Sequence, residues 1–583
     1  MKKHIININC LLSCLLSLFF ASCEDYLDKP PLDKIGNDSY WKTASDLKNY
    51  TMQFYTLFPT YGTPGASGIF MADASYGSDD AILAEANTTL NGARAVVNSG
   101  GAWTWNKIRS VNLFFDNYNR CQDAFNLWSH YLGEAHFFRA YLYFEKVKAY
   151  GDVPWYNKEL SMDSEDLYKA RDSRTLVVDS ILNDLDKAIE FLNPIKKTDG
   201  GTNRLSKEAA LLFKSRVALY EGSWQKYHAG TVFATQGTDP NKYFRIAVEA
   251  AEELMNGDYT VGIYGKNDED YGTMFGMNDM SANSEILLWK GYDKSLGLSH
   301  DSQVYHTSRT NARSATMEFV EAFLSKDGEP IDYYELAKTK KGKEFLSYIG
   351  ENADPRLRKT IWIPGDVMWN SVNGYKEFDL PYIGLSGEFL NTTGFQLRKG
   401  VDITSPGAGG FFGGDCVTGA IIFRYAEALL NYAEAKYELD GQVDYDKSIN
   451  LLRRRVGMPD FKVIKDPNAK RFSNYGYEIS DELFEIRRER RVELGAEGFR
   501  NQDYRRWRAH KLFQNKRPKG FPVLKEEFPN GTKFPAIDGD GLLDPFKNAI
   551  PDGYKFKEER DYLECIPTNE ITLNPNLNPN PGW

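Results

Sequence analysis

Cysteine and histidine are scarce in this sequence, which contains 6 Cys and 7 His among 583 residues. No two cysteines have the CxxC spacing of a zinc site, and no spacing of the histidines suggests metal ligands. Cys121, Cys416 and Cys565 lie in the body of the chain, where they could form at most one disulfide among themselves. Their spacing does not identify the pair. The sequence therefore predicts no disulfide framework and no transition-metal cofactor.

Positive charge is also scarce. The chain has 71 Lys and Arg against 81 Asp and Glu, which gives a formal net charge of −10. A nucleic-acid-binding surface has to neutralise phosphates, so this charge argues against that function class. The motifs HExxH, GxSxG and the Walker A loop are absent, and the lone SxxK match at 45–48 has no supporting motif. We therefore expect no enzyme activity. A glycosidase is the enzymatic alternative, since its two carboxylates are defined by three-dimensional geometry alone.

The N-terminus carries a targeting pattern. Basic residues are followed by an apolar run over 5–20 and by two small residues directly before Cys23. The run is too short for an ordinary transmembrane helix and is typical of a cleaved export signal. We predict a lipoprotein signal peptide over 1–22, lipidation of Cys23, and a polar, proline-containing tether over 23–36. A plain secretory signal is the alternative.

The most regular pattern in the chain lies at 424–457. Apolar residues recur at i, i+3, i+4 and i+7 in its first half, which predicts a helix that ends at Gly441. A second helical pattern begins at Tyr445 and ends at Gly457. This unit of about 34 residues has the length of a tetratricopeptide repeat. One such helix pair cannot bury its own apolar face, so it requires neighbouring pairs.

Similar helix pairs are predicted on both sides of a long region that lacks helical periodicity. We expect a mainly α fold, in which a tetratricopeptide-like helical-repeat scaffold carries a large loop-rich insert. The predicted N-terminal helical repeats span 37–257 and contain a long loop at 59–103. The loop-rich, ligand-side insert spans 258–418, and C-terminal helical repeats with an extended tail span 419–583. Long loops in a compact domain are usually functional or disordered.

A strongly charged helix is predicted from 481 onward. It contains four glutamates at i, i+4 spacing, which form one row of like charge. Such a row needs cations, and Arg488, Arg500 or a neighbouring element could supply them. We interpret the row as part of a structural ion-pair network that braces the last repeat against the first part of the chain. The four residues are Glu485, Glu489, Glu493 and Glu497.

Aromatic residues make up 14% of the chain, and several lie in the predicted loops. Sugar rings have apolar C–H faces that stack on aromatic rings, while their hydroxyl groups need polar partners. Each loop residue could instead serve local packing. Trp105 is assigned to the core because it resembles the helix-start Trp of the family pattern described below. The candidate ligand-binding residues are Asp79, Asp80, Arg94 and Trp103 in the first loop, and Trp362, Trp369, Tyr382, Phe411 and Phe412 in the insert.

One further stretch, 538–544, could hold a structural Ca²⁺ through the oxygens of Asp538, Asp540 and Asp544. Its two glycines favour a simple turn instead.

Several of these stretches together resemble the SusD/RagB family, nutrient-binding outer-membrane lipoproteins of Bacteroidetes-type bacteria. The matching motifs run in order from the predicted lipid site to the last residue. They are CEDYLD at 23–28, EAHFFRA at 134–140 with YGDVP at 150–154, RYAE through NYAEA at 424–435, RERR at 488–491, EG at 497–498, RRW at 505–507, and the tail from IP at 566–567 to NPGW at 580–583.

The resemblance implies a helical-repeat scaffold with a loop-rich ligand-binding region, anchored by lipid in the outer membrane and exposed at the cell surface. It also implies a partner, a SusC-like TonB-dependent transporter. On this basis we expect a non-enzymatic lipoprotein that binds a glycan and delivers it to that transporter. Binding of peptides or another nutrient by the same fold is the first alternative, and a repeat adaptor that binds only proteins is the second.

Overall fold

The computed structural model describes residues 40–65, 68–531 and 533–583. The predicted signal peptide, the lipidation site at Cys23 and the predicted tether lie outside these residues. Within the described part of the chain the protein is mainly helical, and its short strands pair two at a time. The predicted fold class is thereby confirmed.

Helices that follow one another along the chain pack together to form the scaffold. Local sequence sets their ends: Ser173, Ser206 and Ser480 each cap a helix N-terminus by accepting a backbone N–H bond. The N-terminal helices are α1 (Ala44–Met52), α2 (Phe70–Ala74), α3 (Asn106–Asn117), α4 (Phe125–Tyr150), α5 (Arg174–Phe191), α6 (Lys207–Tyr227) and α7 (Pro240–Asn256).

The insert contains shorter elements. Its helices are α8 (Asp268–Met274), α9 (Ser302–His306), α10 (Met317–Val320), α11 (Tyr333–Thr339), α12 (Gly342–Asn352) and α13 (Pro355–Thr360). The C-terminal helices are α14 (Tyr425–Asp440), α15 (Ile449–Arg455), α16 (Asp481–Glu493), α17 (Arg500–Arg506) and α18 (Thr568–Leu573).

The four strand pairs found among the described residues are all antiparallel. One of them, β2 with β6, joins the insert to the start of α14. The pairs are β1 (Ala81–Ile82) with β3 (Ser314–Ala315), β2 (Ile286–Lys290) with β6 (Ala420–Arg424), β4 (Val367–Ser371) with β5 (Gly374–Glu377), and β7 (Ala536–Ile537) with β8 (Leu543–Asp544).

The apolar core has two main parts. The larger combines the N-terminal helices with α14 to α17, and α14 packs directly on α6 and α7. The second core is built mostly from the insert and includes α10 to α13. The N-terminal and C-terminal helices therefore form one scaffold although the insert separates them in sequence.

The repeat predicted at 424–457 forms two helices, with one difference at the start of the second. α14 ends at Gly441, whose φ of 71° is the left-handed conformation expected of a C-terminal glycine. The second helix, α15, begins at Ile449 rather than at Tyr445. Tyr445 instead stacks on Phe461 at 4.2 Å and donates its hydroxyl to Glu482. Tertiary packing thus outweighs the helical periodicity at this residue.

Buried ion pairs join α16 to the insert and to neighbouring C-terminal elements. The row of glutamates predicted such a network, but the cations that pair with Glu489, Glu493 and Glu497 lie between residues 356 and 455, not in the first part of the chain. The Glu493 carboxylate forms ion pairs with Arg424, at an N–O distance of 2.8 Å, and with Arg455, at 2.7 Å. Glu497 pairs with Arg424 at 2.6 Å. Burial alone would raise the pKa of Glu497, but the Arg424 and Lys399 charges outweigh it and hold this pKa below its usual value. We call the set the central ion-pair network; its members are Glu285, Arg356, Lys399, Arg424, Arg455, Glu489, Glu493 and Glu497.

Of the two cations named from the sequence, Arg488 reaches the row only at its first glutamate, and Arg500 pairs elsewhere. Arg488 makes its close ion pair with Asp466, at 2.5 Å, and lies 3.5 Å from Glu485 of the predicted row. Arg500 binds Asp79, at 2.7 Å. The other cations that pair with the row belong to α15, to β6 and to the insert, including its helix α13. These elements face α16 across the buried interface.

Candidate functional site

Five aromatic rings of the insert lie on three segments that are linked by hydrogen bonds or by a shared cation, and we call them the aromatic surface. Four of them were predicted from the sequence and the fifth, Phe389, was not. They occupy the β4–β5 hairpin and the loops at 381–390 and 405–414. The members are Trp369, Tyr382, Phe389, Phe411 and Phe412.

Phe411 is the most exposed member, with 75% of its surface accessible. The guanidinium of Arg309 lies 3.7 Å from its ring centroid, and the Phe389 ring lies 5.1 Å from the same guanidinium. Arg309 is itself buried and is held by Glu388, at 2.6 Å, and by the carbonyl of Gly410. This cation–π contact holds the Phe411 ring in place while much of the ring remains open to solvent.

Side chains of the hairpin donate hydrogen bonds to the backbone of the Phe411 loop. Ser371 donates its hydroxyl to the carbonyl of Ala408, and the Asn373 amide donates to the same carbonyl. Gly409 has a φ of +74°, and a Cβ there would come 2.5 Å from the Trp369 ring. Glycine is therefore required for this close approach, and the position of Trp369 depends on the loop that carries Phe411.

A buried aspartate joins this loop to the start of the long N-terminal loop. Asp301 accepts hydrogen bonds from the backbone N–H of Gly65, at 2.6 Å, and from those of Gly413 and Gly414. The first loop and the insert therefore meet beside Phe411 and Phe412.

Asp79 and Asp80 do not reach the aromatic surface. Both are buried and paired with arginines of the C-terminal helices: Arg491 lies 2.6 Å from Asp80, and Arg500 lies 2.7 Å from Asp79. Burial would raise the pKa of Asp79, but the charges of Arg500 and Arg491 outweigh it and hold this pKa below its usual value. These carboxylates serve structure, because their oxygens are already occupied by guanidinium groups.

Arg94 and Trp362 are also engaged in internal contacts. Arg94 pairs with Asp561 and with Glu564, and its guanidinium lies 4.9 Å from the ring centroid of Trp583, in the C-terminal tail. Trp362 is 1% exposed and donates its indole N–H to the carbonyl of His306. Neither side chain is available to a ligand in this conformation.

Trp103 lies elsewhere, in a cleft of about 400 Å³ formed by the N-terminal helices and the C-terminal tail. It is nearly buried and packs edge-on against Trp105 and Tyr150. Trp105, assigned to the core, also lines the cleft. Exposed apolar residues surround the opening, with Met162 at 91% and Leu573 at 69%. The cleft shares no lining residue with the aromatic surface.

The structure also shows what surrounds the acidic stretch at 538–544. The Lys519 ammonium lies 3.0 Å from Asp538 and 2.8 Å from Asp544, in the place between the two carboxylates that a cation would take. Arg517 pairs with Asp544 as well. Across the described ranges no group of three or more His, Cys, Asp or Glu side chains is arranged to hold a metal ion. Cys121, Cys416 and Cys565 are free thiols.

Three side chains at the aromatic surface escaped prediction: Arg309, Lys376 and Phe389. Lys376 faces Trp369 across the β4–β5 pair, and its ammonium lies 5.1 Å from the Trp369 ring and 5.0 Å from the Tyr382 ring. Of the three, only Phe389 could have been predicted from the sequence, because it is an aromatic residue in a polar loop, just after the turn residues Ser386 and Gly387. Nothing in the local sequence marks Arg309.

Exposed rings supported by buried polar groups can stack on the apolar faces of a sugar or another flat ligand. The fold and this surface define the class of protein: a helical-repeat scaffold whose loop-rich insert presents aromatic side chains to solvent. Within the described residues, no helix combines the length and the apolar character needed to cross a membrane.

Comparison with known proteins assigns the family. The family model described as "SusD family" matches residues 252–583, and a second model, described as "Starch-binding associating with outer membrane", matches residues 47–219. Because the first match covers more than half of the chain, the protein belongs to the SusD family. The resemblance stated from the sequence motifs is thereby confirmed.

Individual relatives are distant but cover the chain. SusD-like protein P2 of Formosa agariphila is 24% identical over 610 residues and matches 100% of both chains. A SusD-like protein from Bacteroides fragilis superposes with a TM-score of 0.72 at 24% identity, covering 95% of this chain and 100% of its own. A second B. fragilis structure, titled a SusD-like carbohydrate binding protein, has a TM-score of 0.67 at 20% identity and covers 92% and 99%. At these identities the structural likeness establishes the fold.

Proposed function

We propose that the protein captures an oligosaccharide or polysaccharide at the cell surface, without chemical conversion, and delivers it to a SusC-like TonB-dependent transporter. The observation that carries this proposal is the exposed ring of Phe411, which the buried Arg309 supports from behind. Aromatic rings in this arrangement suit the C–H faces of sugars.

The comparisons support the choice of a glycan. One matching family model is described as starch-binding and associated with the outer membrane, and one structural relative is titled a carbohydrate binding protein. Capture without conversion is consistent with the absence of recognisable enzyme motifs in the sequence. Lipid anchoring through Cys23 is part of the proposal, and it rests on the sequence pattern that precedes this residue.

The test is isothermal titration of the full chain, purified in detergent, against a panel of polysaccharides and oligopeptides, with product analysis of every mixture. We expect saturable binding to a glycan and no products. Phe411→Ala should weaken this binding by about 1.5–3 kcal/mol, roughly ten- to a hundredfold, because the ring loses its buried contact with the sugar. The appearance of products would contradict a non-enzymatic role.

A matched control is available in Phe125, which is 51% exposed at the start of α4 and packs on Trp128 and Phe191. Phe125→Ala removes an exposed phenyl ring outside the aromatic surface and should leave glycan binding unchanged. Equal losses in the two variants would remove the aromatic surface as the site. Binding of peptides alone would change the proposed cargo.

Delivery to the transporter is tested separately. Co-purification of the full chain with an outer-membrane barrel from its native membrane is the expected result. A Cys23→Ala variant should no longer incorporate labelled fatty acid or fractionate with the membrane. Membrane fractionation unchanged by this substitution would contradict the proposed anchor.

A further inference from the structure

Within the aromatic surface, Lys376 is a cation that no carboxylate balances. The described residues place no Asp or Glu oxygen within ion-pair distance of its ammonium group. One N–H bond goes to the hydroxyl of Tyr382, at 2.8 Å. Since an ammonium group has three donors, two remain for a ligand.

The nearby acidic groups are accounted for in other ways. Asp379 pairs with Lys343, and Glu388 pairs with Arg309 at 2.6 Å. Glu377 accepts a hydrogen bond from Tyr375, and both side chains lie on the opposite face of β5 from Lys376, because successive residues of a strand alternate. The face of the hairpin that carries Trp369 therefore presents a net positive charge.

The position of this charge is fixed by its surroundings. The ammonium of Lys376 lies about equally far from the Trp369 and Tyr382 rings, at 5.1 and 5.0 Å, while its side chain is only half-buried. Trp369 is itself held against Gly409 of the neighbouring loop. A half-buried charge is screened less by salt than an exposed one, so it contributes more to recognition.

We infer that the glycan captured at the aromatic surface is anionic, and that Lys376 binds its sulfate or carboxylate group. This inference rests on the proposed function and names the substrate class for the same site. A charge-assisted hydrogen bond from the ammonium would accompany stacking of the sugar on the adjacent rings. Because the whole chain carries a net charge of −10, this preference has to arise locally rather than from the overall field.

The test uses the full chain in titrations against three groups of polysaccharide. The neutral group is laminarin, dextran and xylan; the uronic group is alginate and polygalacturonate; the sulfated group is κ-carrageenan and dextran sulfate. We expect the tightest saturable binding in one of the two anionic groups and a loss of affinity as NaCl is raised. Which anionic group binds distinguishes a carboxylate from a sulfate ligand.

Lys376→Met keeps an unbranched stem over the rings and removes the ammonium. We expect the affinity for the anionic glycan to fall by about tenfold or more, since one hydrogen bond to a charged group is lost. The salt dependence should fall with it. Tyr382→Phe, which keeps the ring and removes the hydroxyl that holds the ammonium, should cause a smaller loss.

Lys187→Met is the control, because Lys187 is a 48%-exposed lysine on α5 paired with Glu190, outside the insert. It removes the same charge and should change neither affinity nor salt dependence. If the tightest ligand is neutral and depends on Phe411, the inference about charge is wrong while the capture function stands. If no polysaccharide of any group binds, both fail. Equal losses in the Lys376 and Lys187 variants also overturn the inference.

Discussion

The central ion-pair network and the aromatic surface use the same kinds of side chain in opposite ways. In the network, Arg424 touches carboxylates of Glu285, Glu493 and Glu497, and all four residues are buried. At the aromatic surface, the buried Arg309 has one carboxylate partner and supports a ring that is 75% exposed. The network therefore satisfies its charges internally, whereas the surface leaves rings, and the Lys376 ammonium, available to a ligand.

Burial distinguishes the two clusters: the buried charges stabilise the fold, and the exposed rings are available for recognition. Buried ion pairs are costly to desolvate, so they persist only when each charge is met by several partners. A single exposed ring is ordinary, but several exposed rings close together are typical of a surface that binds a ligand or a partner.

The largest effect is expected inside the network. Arg455→Met leaves the buried carboxylates of Glu285 and Glu493 each without one cation, and should lower the free energy of unfolding by about 3–5 kcal/mol. Arg454→Met is the control, because this neighbour in α15 is 48% exposed and pairs with Asp446 and Asp460. It should leave the free energy of unfolding nearly unchanged, because water screens an exposed ion pair. Guanidinium denaturation of both variants gives the comparison, and similar losses would contradict it.

A second prediction concerns a glutamate of the predicted row that lies outside the network. Burial raises the pKa of Glu485 to about 7, above the unfolded value near 4.3. Between these two values the folded protein holds a proton that the unfolded chain releases, so this residue makes stability fall as the pH rises toward about 7. Glu485→Gln should therefore gain stability relative to wild type by about 2 kcal/mol from pH 5 to pH 8. Denaturation at both pH values measures the gain, and a pH-independent difference would exclude this cause.

The third prediction addresses the contact between the hairpin and the Phe411 loop. Gly409→Ala combines a positive φ with a Cβ that meets the Trp369 ring, so it should cost about 1–3 kcal/mol of stability and weaken glycan binding. Gly365→Ala has a φ of +89° but open space at Cβ, and should show the backbone strain of about 1 kcal/mol without the loss of binding. Unaltered binding in the Gly409 variant would mean that Trp369 does not contribute to the site.

The smallest effect is expected at Glu388, the partly exposed carboxylate that pairs with Arg309. Glu388 is 42% exposed in its side chain, so Glu388→Gln should change the free energy of unfolding by less than about 1 kcal/mol. Thermal unfolding followed by circular dichroism measures this change. A loss as large as that of Arg455→Met would erase the distinction between the two regions.

Features that depend on local spacing could be predicted from the amino-acid sequence. The 3.6-residue periodicity of 425–432 and the glycine at 441 set α14 and its end, since helix faces and C-terminal caps are properties of a few adjacent residues. The i, i+4 row from Glu485 to Glu497 was visible for the same reason, and it predicted an ion-pair network but not the segments that this network joins. Motifs in chain order were enough to identify the family.

Contacts between residues far apart in the chain could not be predicted in this way. Asp79 and Arg500 are 421 positions apart in the chain, so the acidic pair in the first loop gave no local sign that arginines of α16 and α17 occupy it. Trp362 and Phe411 both looked like loop aromatics, yet one is 1% exposed and the other 75%. Exposure and partner choice arise from contacts between distant segments, and a one-dimensional pattern does not contain them.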